Sequence, residues 1–278
     1  MPTAFITGGA SGLGKATAEM LAKKGFKVFI ADQNKINAAN VTAQLNTQGH
    51  VASFAETDVS DWSSQAKAFT QAVRTFKRID YVYAIAGINE KRWLTNDISG
   101  EFQPPDLTVL DVDAKGLFYT VALAVQQFRR QELNSDGFRG KISVVGSVCG
   151  LYSCPTIPVY TAAKHAITGF VRSYGTYLPE EYITMNAVCP SVVRTNMSTS
   201  AFYDSLESQG VMTPMHGVLE TFEKWLGVDK TSGICYEVGP NYDKLGALET
   251  AQPPFPDDES ALVFEKLYHR GRPLQGPL

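Results

Sequence analysis

The sequence predicts an α/β protein built on a single doubly wound parallel sheet. Three observations predict it. Short apolar runs alternate with longer helix-like segments along most of the 278 residues. Such alternation implies right-handed crossovers and a parallel sheet covered on both faces. A glycine-rich turn, residues 7–14, separates the first apolar run from the first helical segment. Neither an internal repeat nor a low-complexity block breaks the pattern, and composition shifts only after Gly246.

The elements follow in order. Residues 3–7 read as a strand and 12–24 as a helix closed by Gly25. Residues 27–31 are strand-like, and 35–47 are helical, ending near Gly49. Residues 51–55 make a third strand; Ser60 is placed to cap a helix running to Phe76, and 81–84 form the fourth strand. Residues 87–105 read as a loop carrying Trp93 and Leu94, and 106–130 as one long helix. A strand at 141–145 precedes a helix at 158–177, with Pro158 at its start, where a missing N–H costs least. Residues 183–188 and 234–238 give strands six and seven. Residues 253–259, rich in proline, suit neither a helix interior nor a central strand. Residues 260–268 then suit one short amphipathic helix, and 270–278 look mobile. The expected organisation is one domain over residues 1–245, with 196–225 as its substrate segment, and a C-terminal extension over 246–278.

Composition narrows the function. Lys plus Arg number 25 and Asp plus Glu 28, a net charge of −3, and no basic run suggests a nucleic-acid surface. The apolar share of 44% supports a sizeable core, and the charged share of 19% argues against disorder. No apolar stretch reaches the roughly 18 residues that span a bilayer. The first run, Ala4-Phe5-Ile6, stops at Gly8-Gly9, too short for a signal-peptide core. A soluble, cytoplasmic protein is expected. The four cysteines, Cys149, Cys154, Cys189 and Cys235, include no C-x-x-C pair and read as reduced thiols. Metal-ligand spacing is missing, so no metal site is expected.

The turn Thr7-Gly8-Gly9-Ala10-Ser11-Gly12-Leu13-Gly14 has the spacing G-x-x-x-G-x-G. Glycine permits positive φ and close approach of backbone N–H groups to a pyrophosphate. The helix N-terminus behind it adds unpaired N–H groups and a positive dipole end. Asp32 ends the second strand, 24 residues after Gly8. An acid there can bond both adenine-ribose hydroxyls of NAD and repels the 2′-phosphate of NADP; capping of the next helix is the alternative use. NAD is therefore the expected cofactor. Asp58-Val59, after the third strand, can reach the adenine, or Asp58 can serve as a helix N-terminal acid.

Tyr160 and Lys164 stand at i and i+4 of the helix at 158–177, on one face. Of twelve tyrosines only Tyr160 has a lysine four residues on. A cation beside a phenol favours its ionised form, as a general base requires. Ser147, 13 residues before Tyr160, can hold a substrate oxygen against it; turn formation is its alternative use.

With Ser147, Tyr160, Lys164 and the glycine turn in this order, the sequence resembles a short-chain dehydrogenase/reductase over about residues 3–195. That resemblance implies a Rossmann-type domain with sheet order 3-2-1-4-5-6-7. It implies cofactor contacts from Gly8, Ser11, Gly12, Leu13, Gly14, Asp32, Asp58, Val59, Ala86, Gly87, Tyr160, Lys164, Pro190, Val193 and Thr195, with Val193 and Thr195 at the carboxamide. It also implies a homodimer or homotetramer paired through the helices at 106–130 and 158–178. Residues 87–91 and 160–169 resemble 15-hydroxyprostaglandin dehydrogenases, and NAD-linked alcohol dehydrogenases of fungal secondary metabolism (the 5′-hydroxyaverantin type) are similar. Three positions depart from the family pattern. Asn-Asn-Ala-Gly reads Ala84-Ile85-Ala86-Gly87, Pro-Gly reads Pro190-Ser191, and the tetrad asparagine reads Asp113. As a carboxylate, Asp113 could accept from the relay water, or attract Lys164 and dampen its effect on Tyr160.

The implied reaction is reversible hydride transfer between NAD and a secondary alcohol, with Ser147, Tyr160, Lys164 and Asp113 as the catalytic set. The substrate positions named are Asn89, Trp93, Cys149, Tyr152, Met197, Phe202 and Met212. Residues 196–225 also carry Tyr203, Met215, Leu219, Phe222 and Trp225. Bulky apolar lining suits a lipid-like, polyketide or terpenoid alcohol; packing on the protein body is the alternative for these side chains. A cofactor-bound protein without redox activity is the competing function, motivated by Asp113 and Ala84-Ile85.

Overall fold

The computed structural model describes residues 1–97 and 99–271. In chain order its strands are β1 (Thr3–Thr7), β2 (Lys27–Asp32), β3 (Val51–Glu56), β4 (Tyr81–Ala84), β5 (Gly140–Val145), β6 (Ile183–Pro190), β7 (Cys235–Val238) and β8 (Leu248–Glu249). Its helices are α1 (Gly12–Lys23), α2 (Lys35–Thr47), α3 (Trp62–Phe76), α4 (Gly116–Phe128), α5 (Pro158–Tyr177), α6 (Ser200–Ser208), α7 (Met215–Lys224), α8 (Tyr242–Leu245) and α9 (Asp258–Gly271). Among the described residues the strands form one sheet, ordered β3-β2-β1-β4-β5-β6-β7-β8. The first seven run parallel, and β8 pairs antiparallel with β7.

Strands covered on both faces carry apolar side chains on both. Every residue of β1, β4 and β6 is buried. Alternate residues feed two cores. Phe5 and Phe29 pack with Phe69, Val121, Phe128 and Ile167 from α3, α4 and α5. Ile6 and Ile30 pack with Leu21, Leu45 and Phe222 from α1, α2 and α7. Burying one such side chain is worth about 1.5–3 kcal/mol, so the two layers fix the strand order that brings the C-terminal ends of β1 and β4 together.

Four expectations change. Asp61, not Ser60, caps α3: its carboxylate accepts from the N–H groups of Ser63 and Ser64, while Ser60 bonds Asp58. The helix expected over 106–130 starts at Thr108, passes through a π-helical stretch, Leu110–Lys115, and ends as α4 at Phe128. Residues 196–225 contain α6 and α7, and Phe222 and Trp225 are core residues, Phe222 edge-on to Tyr83 and Trp225 in tilted ring contact with Tyr236. The sheet also continues past residue 245, because β8 and Thr250 are bonded to β7: Thr250 donates from both N and Oγ1 to Cys235 O. The mobility expected for residues 270–278 concerns, from 272 onward, positions outside the described residues.

Candidate active site

One cleft opens over the C-terminal ends of the strands. It is lined by Gly8, Ser11, Gly12, Leu13, Gly14, Asp32, Asp58, Val59, Ala86, Gly87, Ser147, Tyr160, Lys164, Pro190, Val193 and Thr195 among others. Every cofactor position named from the sequence is thus at this cleft, with Ser147. It lies where connections from β1 and β4 leave in opposite directions, the usual ligand position in an open parallel sheet.

The glycine turn is cut to the backbone around it. Gly8 has φ +68°, and a Cβ there would lie 2.8 Å from Ala86 Cα. A Cβ on Gly14 would lie 2.0 Å from Gly8 O. Only glycine fits at both, which brings backbone, not side chains, to the cleft floor at the start of α1. Asp32 locks the turn: its Oδ2 accepts from Ala10 N–H at 2.9 Å and its Oδ1 from Asn34 N–H at 2.8 Å. Asn34, not Asp32, caps α2. Asp58 lines the cleft with its Oδ1 engaged by the N–H and hydroxyl of Ser60. In place of the absent amide side chains after β4, Thr7 Oγ1 accepts from the N–H groups of Ile85 and Ala86, at 3.2 and 3.4 Å.

Ser147 follows β5 and is nearly buried; its Oγ accepts from Cys149 N–H at 3.1 Å, which leaves its own proton to donate. Tyr160 and Lys164 share a face of α5, the lysine Nζ 5.3 Å from the Tyr160 ring centroid. Asp113 sits in the π-helical stretch, and its Oδ2 lies 3.0 Å from Lys164 Nζ, with side chains 0% and 5% exposed. Oδ2 has no well-directed hydrogen bond, so the contact is chiefly Coulombic. Oδ1 accepts from Ile88 N–H at 2.8 Å. Asp113 Oδ2 is thus placed to attract Lys164, one of the two behaviours open to it. Burial opposes the ammonium charge, but attraction to Asp113 and Tyr160 outweighs it and raises the Lys164 pKa above the ordinary lysine value. Burial pushes the Cys149 thiol up, against the Ser147 hydrogen bond, so Cys149 is not an activated nucleophile.

The substrate positions divide. Met197 lines the cleft, and Asn89 Nδ2 donates to Met197 O at its edge. Trp93, Cys149, Tyr152, Phe202 and Met212 are not among its lining residues. Tyr152 is 58% exposed and its hydroxyl donates to Glu237 at 2.6 Å. Tyr203 is buried, and its hydroxyl accepts from Ser198 N–H and contacts Thr195 Oγ1 at 3.2 Å, bracing the cleft wall.

Sequence reasoning misses two contributors. Thr7 reads as the end of a strand and the first residue of the glycine turn, with no role for its hydroxyl. Glu90 accepts from the backbone N–H of Tyr160 at 2.6 Å. The available signal is the apolar N-cap of α5, Ile157, with no acid in its first turn. Such a start calls for an acceptor from elsewhere.

The family model for short chain dehydrogenases matches residues 2–205. The chain belongs to the short-chain dehydrogenase family. The short-chain dehydrogenase/reductase prx4 of Penicillium rubens is 33% identical over 195 residues, 69% of this chain and 54% of prx4. This short-chain dehydrogenase therefore matches about half the length of that relative. A diacetyl reductase [(S)-acetoin forming] of Staphylococcus epidermidis is 30% identical over 196 residues, 70% of this chain and 72% of that protein. A 3-ketoacyl-(acyl-carrier-protein) reductase from Brucella melitensis, solved with NADH, shares the fold at TM-score 0.73 and 21% identity. That likeness covers 86% of this chain and 97% of that one. The sheet of this short-chain dehydrogenase is of the Rossmann type. No helix of its described residues is long and apolar enough to cross a membrane.

Proposed function

We propose that this protein is an oxidoreductase that interconverts a bulky apolar secondary alcohol and its ketone, using NAD(H) and Tyr160 as general acid/base. The carrying observation is the convergence of Ser147, Tyr160 and Lys164 on one cleft with the glycine turn and Asp32. The fit to a dinucleotide rests on the close backbone packing that glycine at 8 and 14 permits, which leaves backbone rather than side chains on the cleft floor at the start of α1. A nicotinamide dinucleotide held there supplies hydride uptake and release. Gly8, Ser11, Gly12, Leu13 and Gly14 hold its pyrophosphate by backbone N–H groups. Asp32 favours free ribose hydroxyls over a 2′-phosphate. Asp58 and Val59 take the adenine end, and Ala86, Gly87, Pro190, Val193 and Thr195 the nicotinamide end.

The chain's own groups do the rest. Ser147 donates to the substrate oxygen. Tyr160 takes the hydroxyl proton in oxidation and returns it in reduction. Lys164 brings positive charge beside the phenol and bonds the ribose, and Asp113 holds Lys164. Met197, Ile88 and Val145 give the cleft apolar lining, which supports an apolar substrate. Family resemblance supports a homodimer or homotetramer paired through the helices at 106–130 and 158–178.

The test is label transfer from NADH deuterated at the nicotinamide C4 to bulky ketones. Deuterium on the carbinol carbon is expected. Protein that binds NADH but moves no label, in either direction, contradicts the reading. The Asp113–Lys164 pair favours one second reading, a cofactor-bound protein whose lysine is withheld from redox work. Asp113→Asn separates the two: label transfer that first arises in the variant supports the silenced form.

A further inference from the structure

We propose that Glu90 is a positioning residue for Tyr160, tying the loop after β4 to the placement of the catalytic helix. The inference rests on the assignment of Tyr160 as the acid/base.

A helix leaves its first four N–H groups without intrahelical partners. At the start of α5, Ile157 offers an apolar side chain and Pro158 has no N–H. The first turn contains no acid. The missing acceptor comes from 70 residues upstream: Glu90 Oε2 takes the Tyr160 N–H at 2.6 Å. A carboxylate at a helix N-terminus is favoured by the dipole, and a charge-assisted bond is shorter and stronger than a neutral one. The amide it holds belongs to Tyr160 itself. The bond therefore fixes the backbone from which the phenol hangs.

The residues just before Glu90 are pinned as well. Ile88 N–H donates to Asp113 Oδ1 at 2.8 Å, and Asn89 Nδ2 donates to Met197 O. Three consecutive residues thus tie the π-helical stretch, the segment after β6 and α5 to one another. Beyond Glu90 the chain runs outward through exposed Lys91 and Arg92 to Trp93 and Leu94. That loop is thus joined to the Tyr160 backbone through one carboxylate.

Glu90→Gln keeps an acceptor oxygen, and Glu90→Ala removes it. Hydrogen exchange at the Tyr160 amide needs no substrate, so it judges the bond separately from the redox assignment. In Glu90→Ala that amide is expected to exchange about fivefold faster, the shift that losing one helix cap produces. In Glu90→Gln it stays near the wild-type rate. With a turning-over alcohol, Glu90→Ala should lower kcat by up to about a hundredfold, the scale of a 1 Å misplacement. KM and NADH affinity should hardly move, and Glu90→Gln should recover most of kcat. Unchanged exchange and kcat in Glu90→Ala overturn the proposal. So does Glu90→Gln behaving like Glu90→Ala in both readouts, because charge rather than the bond would then be responsible. Wild-type protein that binds NADH but turns over nothing sinks the Tyr160 assignment and this proposal with it, even where the exchange result holds.

Discussion

Asp113 and Lys164 form a buried ion pair, and such pairs reveal themselves when one partner is removed. Removing one charge of a buried pair leaves the other uncompensated, at about 3–5 kcal/mol. Asp113→Asn retains an oxygen for Ile88 N–H, so the expected loss is at the lower end, about 3 kcal/mol. The sign with pH follows from the raised Lys164 pKa. The pair's stabilisation is fully present below the unfolded lysine pKa of about 10.4. It is lost as pH climbs through the folded value. The gap between wild type and Asp113→Asn, measured by denaturant titration, should therefore be full near neutrality and close in strong alkali. A constant gap would mean that Lys164 is not the group responsible. Asp32 supports a separate expectation. Its removal in Asp32→Ala frees Ala10 N–H and lifts repulsion of a 2′-phosphate, so the ratio of NADPH to NADH affinity should rise, as read by fluorescence titration.

Among elements, the glycines separate close packing from tolerance. Gly14→Ala places a Cβ 2.0 Å from Gly8 O, and dinucleotide binding should be lost with a lowered melting temperature. Gly169 is exposed on α5, and a Cβ added there would meet nothing within 4 Å. Gly169→Ala should stabilise the protein by about 1 kcal/mol, through helix propensity alone; a destabilised variant would show that this face is already covered. The same distinction explains what was legible in the sequence. Buried strands such as β1 and β4 are continuous apolar runs, and Gly25, Gly49 and Pro158 mark helix ends by their backbone chemistry. The glycine turn, Asp32, Ser147, Tyr160 and Lys164 could be found because each has local spacing. The π-helical stretch has no period of its own over six residues. The apolar residues of α7 look alike whether they line a pocket or fill the core, and Phe222 fills the core. β8 is two residues long, too short for any pattern. Glu90 is invisible locally because its partner is 70 residues away.

At the scale of the whole molecule the sheet has a working end and a structural end. The cleft lies at the C-terminal ends of the strands, and Lys141 lies near the opposite end, at the start of β5. Its Nζ donates to Asp229 O and sits 3.9 Å from the Phe138 ring centroid. Burial lowers its pKa to about 8. The unfolded value is about 10.4, so between these two pH values the unfolded chain binds the extra proton and stability rises with pH. Lys141→Met should remove that rise, leaving a flatter stability profile across the window; an unchanged slope would assign it to another group. At the working end, the central claim is that Tyr160 transfers the proton in an NAD-linked redox reaction. The most direct measurement is NADH formation from NAD⁺ with bulky apolar secondary alcohols, comparing wild type with Tyr160→Phe at equal NADH affinity. NADH should accumulate with the wild type and fall to background in the variant. A Tyr160→Phe protein as fast as wild type would contradict the account.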